Sequence, residues 1–204
     1  GMGLERICSI LQGVESNYDT DLFLPIIEVI AKISQRDYDE DNQVAMRVIA
    51  DHIRALTFAI ADGAMPSNEG RGYVLRRILR RAARFGRNLG LKEPFIYRLV
   101  GTVSASVQGT FPEVSEEAEY VSRIIQSEEE AFGKTLDRGI EIFDEVCCKG
   151  QITGEEAFRL YDTYGFPLDL TQLMAEEKSV DVDVKGFKQK MSAQQLRSRE
   201  AGRK

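Results

Sequence analysis

The chain is poor in the residues that most often carry catalysis or cross-links: three cysteines and one histidine in 204 residues. Cys8, Cys147 and Cys148 are odd in number and show no C-x-x-C spacing, which supports neither a disulfide framework nor a zinc site and points to a reducing, cytoplasmic setting. The single histidine, His52, falls among core positions of a helical pattern and reads as a hydrogen-bonded structural residue, which leaves a serine or cysteine nucleophile without a base. No apolar run approaches the ~20 residues of a membrane span, and no signal-peptide pattern precedes the first helical segment, so no membrane partner is expected. P-loop and dinucleotide fingerprints are missing. No strand-period alternation exceeds four residues, so the expected class is all-α, a multi-helix bundle without a substantial sheet. The residues themselves nominate no catalytic group and no metal ligand.

What is present suffices for a core. With 43% apolar and 29% charged residues the chain can fold as one large domain or two small ones. Leu4, Ile7, Cys8 and Leu11 predict a short first helix ending near Gly13, and Asp19 or Thr20 is a candidate cap for a second with Pro25 in its first turn. A third spans about 41–61, with a buried arc of Ala45, Val48, Ile49, His52, Ile53, Leu56, Ala59 and Ile60, and Gly63 stops it. A later one, over about 112–147, is one long helix with weak points at Gly133 and Gly139 and a run of glutamates on its polar side, Glu128, Glu129 and Glu130 among them. Thr153 and Glu156 fit a capping box, and helices follow over about 168–178 and 185–199 before a polar, fraying tail.

The unusual stretch is 65–90, MPSNEGRGYVLRRILRRAARFGRNLG. On a wheel of about 100° per residue, Val74, Leu75, Ile78, Leu79, Ala82 and Phe85 share one arc of roughly 140°. Arg76, Arg77, Arg80, Arg81, Arg84 and Arg87 occupy the opposite arc, which predicts six guanidinium groups on one solvent face. The formal charge of the chain is −6, yet residues 71–92 carry seven arginines, one lysine and no acid, leaving −14 on the rest. Positive charge is therefore concentrated, and binding to a polyanion answers to the local patch rather than to the whole-chain balance. Arginines one turn apart repel by a few tenths of a kcal/mol per pair, so they require an offset. A nucleic acid or acidic neighbours in the fold supply it equally well.

Two polar segments exceed what turn chemistry needs: Pro66-Ser67-Asn68-Glu69 before the arginine helix, and Tyr161-Asp162-Thr163-Tyr164-Gly165-Phe166-Pro167. An amide both donates and accepts, and a carboxylate accepts from exocyclic amino groups, so Asn68 and Asp162 are candidate base readers. Alternatively Asn68 caps the arginine helix and Asp162 bonds locally. An all-α protein-interaction module with an arginine face is the competing function.

Residues 48–86, VIADHIRALTFAIADGAMPSNEGRGYVLRRILRRAARFG, resemble the tRNA-recognition helical region of the alanyl-tRNA synthetase family, and LYDTYGFPLDLT at 160–171 resembles a second hallmark of that region. The opening Gly-Met-Gly-Leu-Glu-Arg resembles the end of motif 3 of class II synthetases, with Gly1 expected to be a cloning remnant. The resemblance implies a piece of a longer enzyme: residues 1–15 as the end of a catalytic domain and 16–204 as a helical tRNA-recognition domain, possessing two subdomains if it divides near 150. It implies that Asn68 and Asp162 read a G·U wobble pair in the acceptor stem of alanine tRNA. Arg71, Arg76, Arg77, Arg80, Arg81 and Arg84 would hold phosphates or tie the module to the catalytic domain. Arg6 would meet ATP, with Mg2+ needed by the whole enzyme and zinc only in a separate editing domain. The piece by itself is expected to lack activity.

Overall fold

The computed structural model describes the backbone of residues 3–201 and the side chains of residues 3–197; Gly1, Met2 and the last residues of the polar tail, including the expected cloning remnant, lie outside the described residues. The chain forms two compact units, Gly1–Ala131 and Phe132–Lys204. Both are built from helices, as the class expectation requires.

In the first unit α1 is Leu4–Gln12, α2 is Leu24–Ser34, α3 is Gln43–Ala61 and α4 is Gly70–Asn88. A 3-10 turn at Ile96–Leu99 runs into α5, Val100–Val107, followed by α6, Pro112–Glu116, and the first half of α7, Ala118–Cys147. The core lies where α3 packs most extensively on α4, with α2 and α5 closing it. Ile49, Ile53, Leu56 and Ile60 of α3 and Leu79 of α4 are fully buried, and Leu75 of α4 is buried with them. Gly86 lets the following segment fold back, because a Cβ there would lie 2.3 Å from the Phe95 ring.

Three local expectations shift. α2 starts at Leu24 without a side-chain cap, because Asn17–Asp19 forms its own 3-10 turn and the Thr20 carbonyl, not its hydroxyl, receives the Leu24 N–H at 2.9 Å. The buried stripe of α3 is rotated toward Met46, Ala50 and Thr57, which are fully buried, leaving Val48, His52 and Ala59 half-buried. The long helix sought over 112–147 is interrupted at Glu117, which separates α6 from α7. Gly133 and Gly139, by contrast, are carried through α7 without a break.

The second unit comprises the rest of α7, then β1 (Gln151–Ile152), α8 (Gly154–Tyr164), α9 (Leu168–Glu177), β2 (Asp181–Val182) and α10 (Val184–Ala201). The strands pair in parallel, Gln151 with Asp181 and Ile152 with Val182. Two residues are too few to leave an alternation in the sequence, so this ladder had no signal. Gly139 forms a socket for Phe166, whose ring would lie 2.3 Å from a Cβ at that position. α8 and α10 approach backbone to backbone at Gly154 and Gly186. The capping box is present: Thr153 Oγ1 receives the Glu156 N–H at 3.2 Å and Glu156 Oε2 receives the Thr153 N–H at 3.0 Å. Among the described residues no helix is long and apolar enough to cross a membrane.

Candidate nucleic-acid interface

The loop between α3 and α4 is pinned at both ends. Gly63, at φ 84°, turns the chain out of α3. Gly72, in the first turn of α4, lies so close under the loop that a Cβ would fall 2.2 Å from the Met65 carbonyl oxygen and 2.3 Å from Ser67 Oγ. Ser67 Oγ donates to the Glu69 carbonyl at 2.8 Å. Asn68 stands exposed on this loop. It does not cap α4, whose N-cap is Glu69 with no side-chain hydrogen bond. Its Oδ1 instead accepts from Arg76 Nη1, one of the α4 arginines. Arg76 in turn grips Glu128 of α7 with two charge-assisted bonds, Nε to Oε2 at 3.0 Å and Nη2 to Oε1 at 2.6 Å. Asp62, Met65, Arg71 and Val74 line an open groove of about 660 Å³. Met65 and Val74 are more than two-fifths exposed there, so Val74 is not the core residue the wheel expected.

The predicted solvent face of six arginines is not formed. Arg84 is 8% exposed, Arg76 is committed to Glu128, and Arg77, Arg80, Arg81 and Arg87 are half-buried. Arg87 donates to the Leu91 carbonyl at 2.6 Å, and Arg77 lies over the Tyr73 ring at 5.9 Å. Residues 82–86 are all buried, so Arg84 has no open side, whereas Arg80, Arg81 and Arg87 around that stretch keep part of their surface. Arg71, in the first turn, is the exposed arginine of the set. Glu128 therefore supplies part of the offset that the like charges need.

In the second unit Asp162 sits exposed on the last turn of α8. Its Oδ1 accepts from Gln194 Nε2 of α10, so its partner is distant in sequence rather than local. The end of α8 is fixed from two sides. The Tyr164 carbonyl accepts from Thr135 Oγ1 of α7 at 2.9 Å, and Tyr161 meets the Phe187 ring edge-on at 5.7 Å. Nothing in the sequence marked Gln194 as a partner.

Arg6 is exposed on α1 and borders a hollow of about 250 Å³ with Glu5, Tyr18 and Asp51. One guanidinium beside two carboxylates, in a space below the ~300–1,000 Å³ of small-molecule sites, does not by itself fit a nucleoside triphosphate. α1 buries none of its residues, and Ile10 and Leu11 stand 72% and 80% exposed. His52 is half-buried, with Nδ1 3.1 Å from its neighbour Asp51. Among the described residues no three His, Cys, Asp or Glu side chains gather as a metal site.

Sequence reasoning missed Glu129. It is 4% exposed and accepts the backbone N–H groups of Phe95 and Ile96, and burial lifts its pKa to about 7. Neighbouring Glu128 and Glu130 disguised it as one more residue of a solvated charge run.

The model of the tRNA synthetases class II (A) family matches residues 1–204. The chain is 54% identical to an alanine–tRNA ligase of Chlorobium phaeobacteroides over 210 residues, covering 98% of this chain and 24% of that protein. It is 53% identical to one of Geobacillus thermodenitrificans over 209 residues, with the same coverage of 98% and 24%. A third, from Streptococcus sanguinis, is 51% identical over 206 residues, again covering 98% of this chain and 24% of the relative. The chain spans about a quarter of the length of the curated relatives it matches. By the match along its whole length, the chain belongs to the class II tRNA synthetase family.

Proposed function

We propose that this chain is the tRNA-recognising part of an alanine–tRNA ligase and that it reads a G·U wobble pair in the acceptor stem of alanine tRNA. The observation that carries the proposal is identity above one half, over 98% of the chain, to proteins of that name. Asn68 and Asp162 serve as base readers, each exposed and each held by one side-chain hydrogen bond. A wobble pair leaves the guanine 2-amino group without a Watson–Crick partner in the shallow minor groove of A-form RNA, where protein side chains reach. Arg71 is the first phosphate ligand, with Arg77, Arg80 and Arg81 as secondary ones. Arg76 and Arg84 act mainly inside the fold.

In the whole enzyme the activity is ATP-dependent activation of alanine and its transfer to tRNA in the cytoplasm. Arg6 contributes one positive charge against the triphosphate; the residues that hold Mg2+ and most of the ATP belong to the catalytic domain, the other partner of this region, and zinc belongs to an editing domain. The 204 residues alone form no alanyl-adenylate. The alternative, an all-α protein-interaction module, needs an exposed arginine face and loses support from the burial of Arg84 and the pairing of Arg76.

Titration of a labelled acceptor-stem hairpin, with the third pair either G·U or G·C, tests the proposal. Tighter binding of the wobble stem is expected. Equal affinity for the two stems, or no binding to either, overturns it.

A further inference from the structure

We infer that Arg76, clamped by Glu128, is a positioning residue that sets which end of the Asn68 amide faces the RNA. This rests on the base-reading role proposed for Asn68. A guanidinium has donors and no acceptor, so the Asn68 atom that meets Arg76 is Oδ1 on chemical grounds alone. The amide nitrogen, with its two N–H bonds, is thereby turned away from the protein, and among the described residues Asn68 makes only this one side-chain hydrogen bond. Without that contact the amide has little to fix it, since its terminal torsion is broad and roughly two-fold.

The guanidinium is itself immobilised. Both of its bonds to Glu128 fall in hydrogen-bond range, and the two side chains are only 19% and 20% exposed. The backbone beneath Asn68 is fixed separately by the close approach of Gly72 to Met65 and Ser67. Asn68 is thus presented to a ligand as a hydrogen-bond donor. In a minor groove its targets are purine N3 and pyrimidine O2, the latter shifted where a wobble displaces uracil, and the guanine 2-amino group must be met by a different acceptor. Because Glu128 neutralises Arg76, that arginine governs discrimination between stems rather than attraction to phosphate.

The test measures binding of the 204-residue chain to the G·U and G·C hairpins for Asn68→Ala, Asn68→Asp, Arg76→Lys and Glu128→Gln. Lysine keeps the charge but cannot make the two-pronged bond to Glu128. Arg76→Lys and Glu128→Gln are expected to lower the G·U preference about as far as Asn68→Ala does, with the salt dependence unchanged. Asn68→Asp, which retains acceptors and loses the donors, is expected to lose the preference equally.

If Asn68→Ala abolishes the preference while Arg76→Lys and Glu128→Gln keep it, the positioning role is overturned and the base-reading role stands. If Asn68→Ala also keeps it, the base-reading role fails and takes this inference with it. Preference retained in Asn68→Asp contradicts the donor orientation, and a log–log salt slope reduced by about 0.7–0.9 in Arg76→Lys makes Arg76 a phosphate ligand instead. The side-chain amide proton signals of Asn68 give a second readout. They should be distinct in the parent chain and broadened in Glu128→Gln, with the backbone spectrum away from the site preserved; distinct signals in that variant count against the clamp.

Discussion

Glu129 on α7 receives the backbone N–H of Phe95 at 2.8 Å and so caps the Ile96–Leu99 turn with a buried carboxylate. Burial is the larger influence and raises its pKa from the ordinary 4.5 to about 7, against the opposing pull of the N–H groups. Between those values the folded chain binds the proton more tightly than the unfolded chain does. Stability therefore falls as pH rises through that window and levels off above it. Urea unfolding of the parent chain and Glu129→Gln should show a stability difference that changes by roughly 1–3 kcal/mol between pH 5 and pH 8. A difference independent of pH would show that Glu129 does not titrate there.

The two glycines inside α7 should respond to alanine with opposite signs. Gly133 has open space around an added Cβ, so Gly133→Ala gains about 0.5–1 kcal/mol of helix stability. Gly139 faces the Phe166 ring, fully buried and 2.3 Å from the added atom, so Gly139→Ala costs about 1–3 kcal/mol through overpacking. Thermal melts of both variants check the pair, and a shift of the same sign in both contradicts the socket.

Thr153→Ala removes the side-chain acceptor for the Glu156 N–H. It should lower stability by about 1 kcal/mol. Faster amide exchange in the first turn of α8, with α3 and α4 unchanged, would place the loss at the cap. An unchanged melt would mean that the cap contributes nothing.

How much of this was legible in the sequence depended on whether the signal was local. Gly13, Gly63 and the Thr153 box end or begin helices through their own backbone or one neighbour, and each is legible without tertiary knowledge. The arginine face was misjudged because a wheel knows one helix only. It placed Arg84 opposite Leu79 but had no information that residues 82–86 are all buried. Offset of the arginines by acidic neighbours in the fold was one of two alternatives, and Arg76–Glu128 realises it for one arginine. The roles of Glu128, Glu129 and Gln194 depend on contacts 32 to 52 residues away, which no local pattern encodes.

Arg71→Ala should weaken binding to wobble and Watson–Crick stems alike and lower the log–log salt slope by about 0.7–0.9, as expected for one lost phosphate contact. Asp162→Ala should leave that slope unchanged and reduce the preference for the wobble stem by about 1–3 kcal/mol. Binding curves at several salt concentrations separate the two. Equal loss on both stems in the Asp162 variant would remove its assignment as a base reader.

The central claim is tested most directly by the ratio of affinities of the unmodified chain for G·U and G·C hairpins, set beside the same ratio for Asn68→Ala. The account predicts a clear preference for the wobble stem that the variant loses while its affinity for the G·C stem is retained. A ratio near one in the unmodified chain, or a ratio untouched by the substitution, would contradict it.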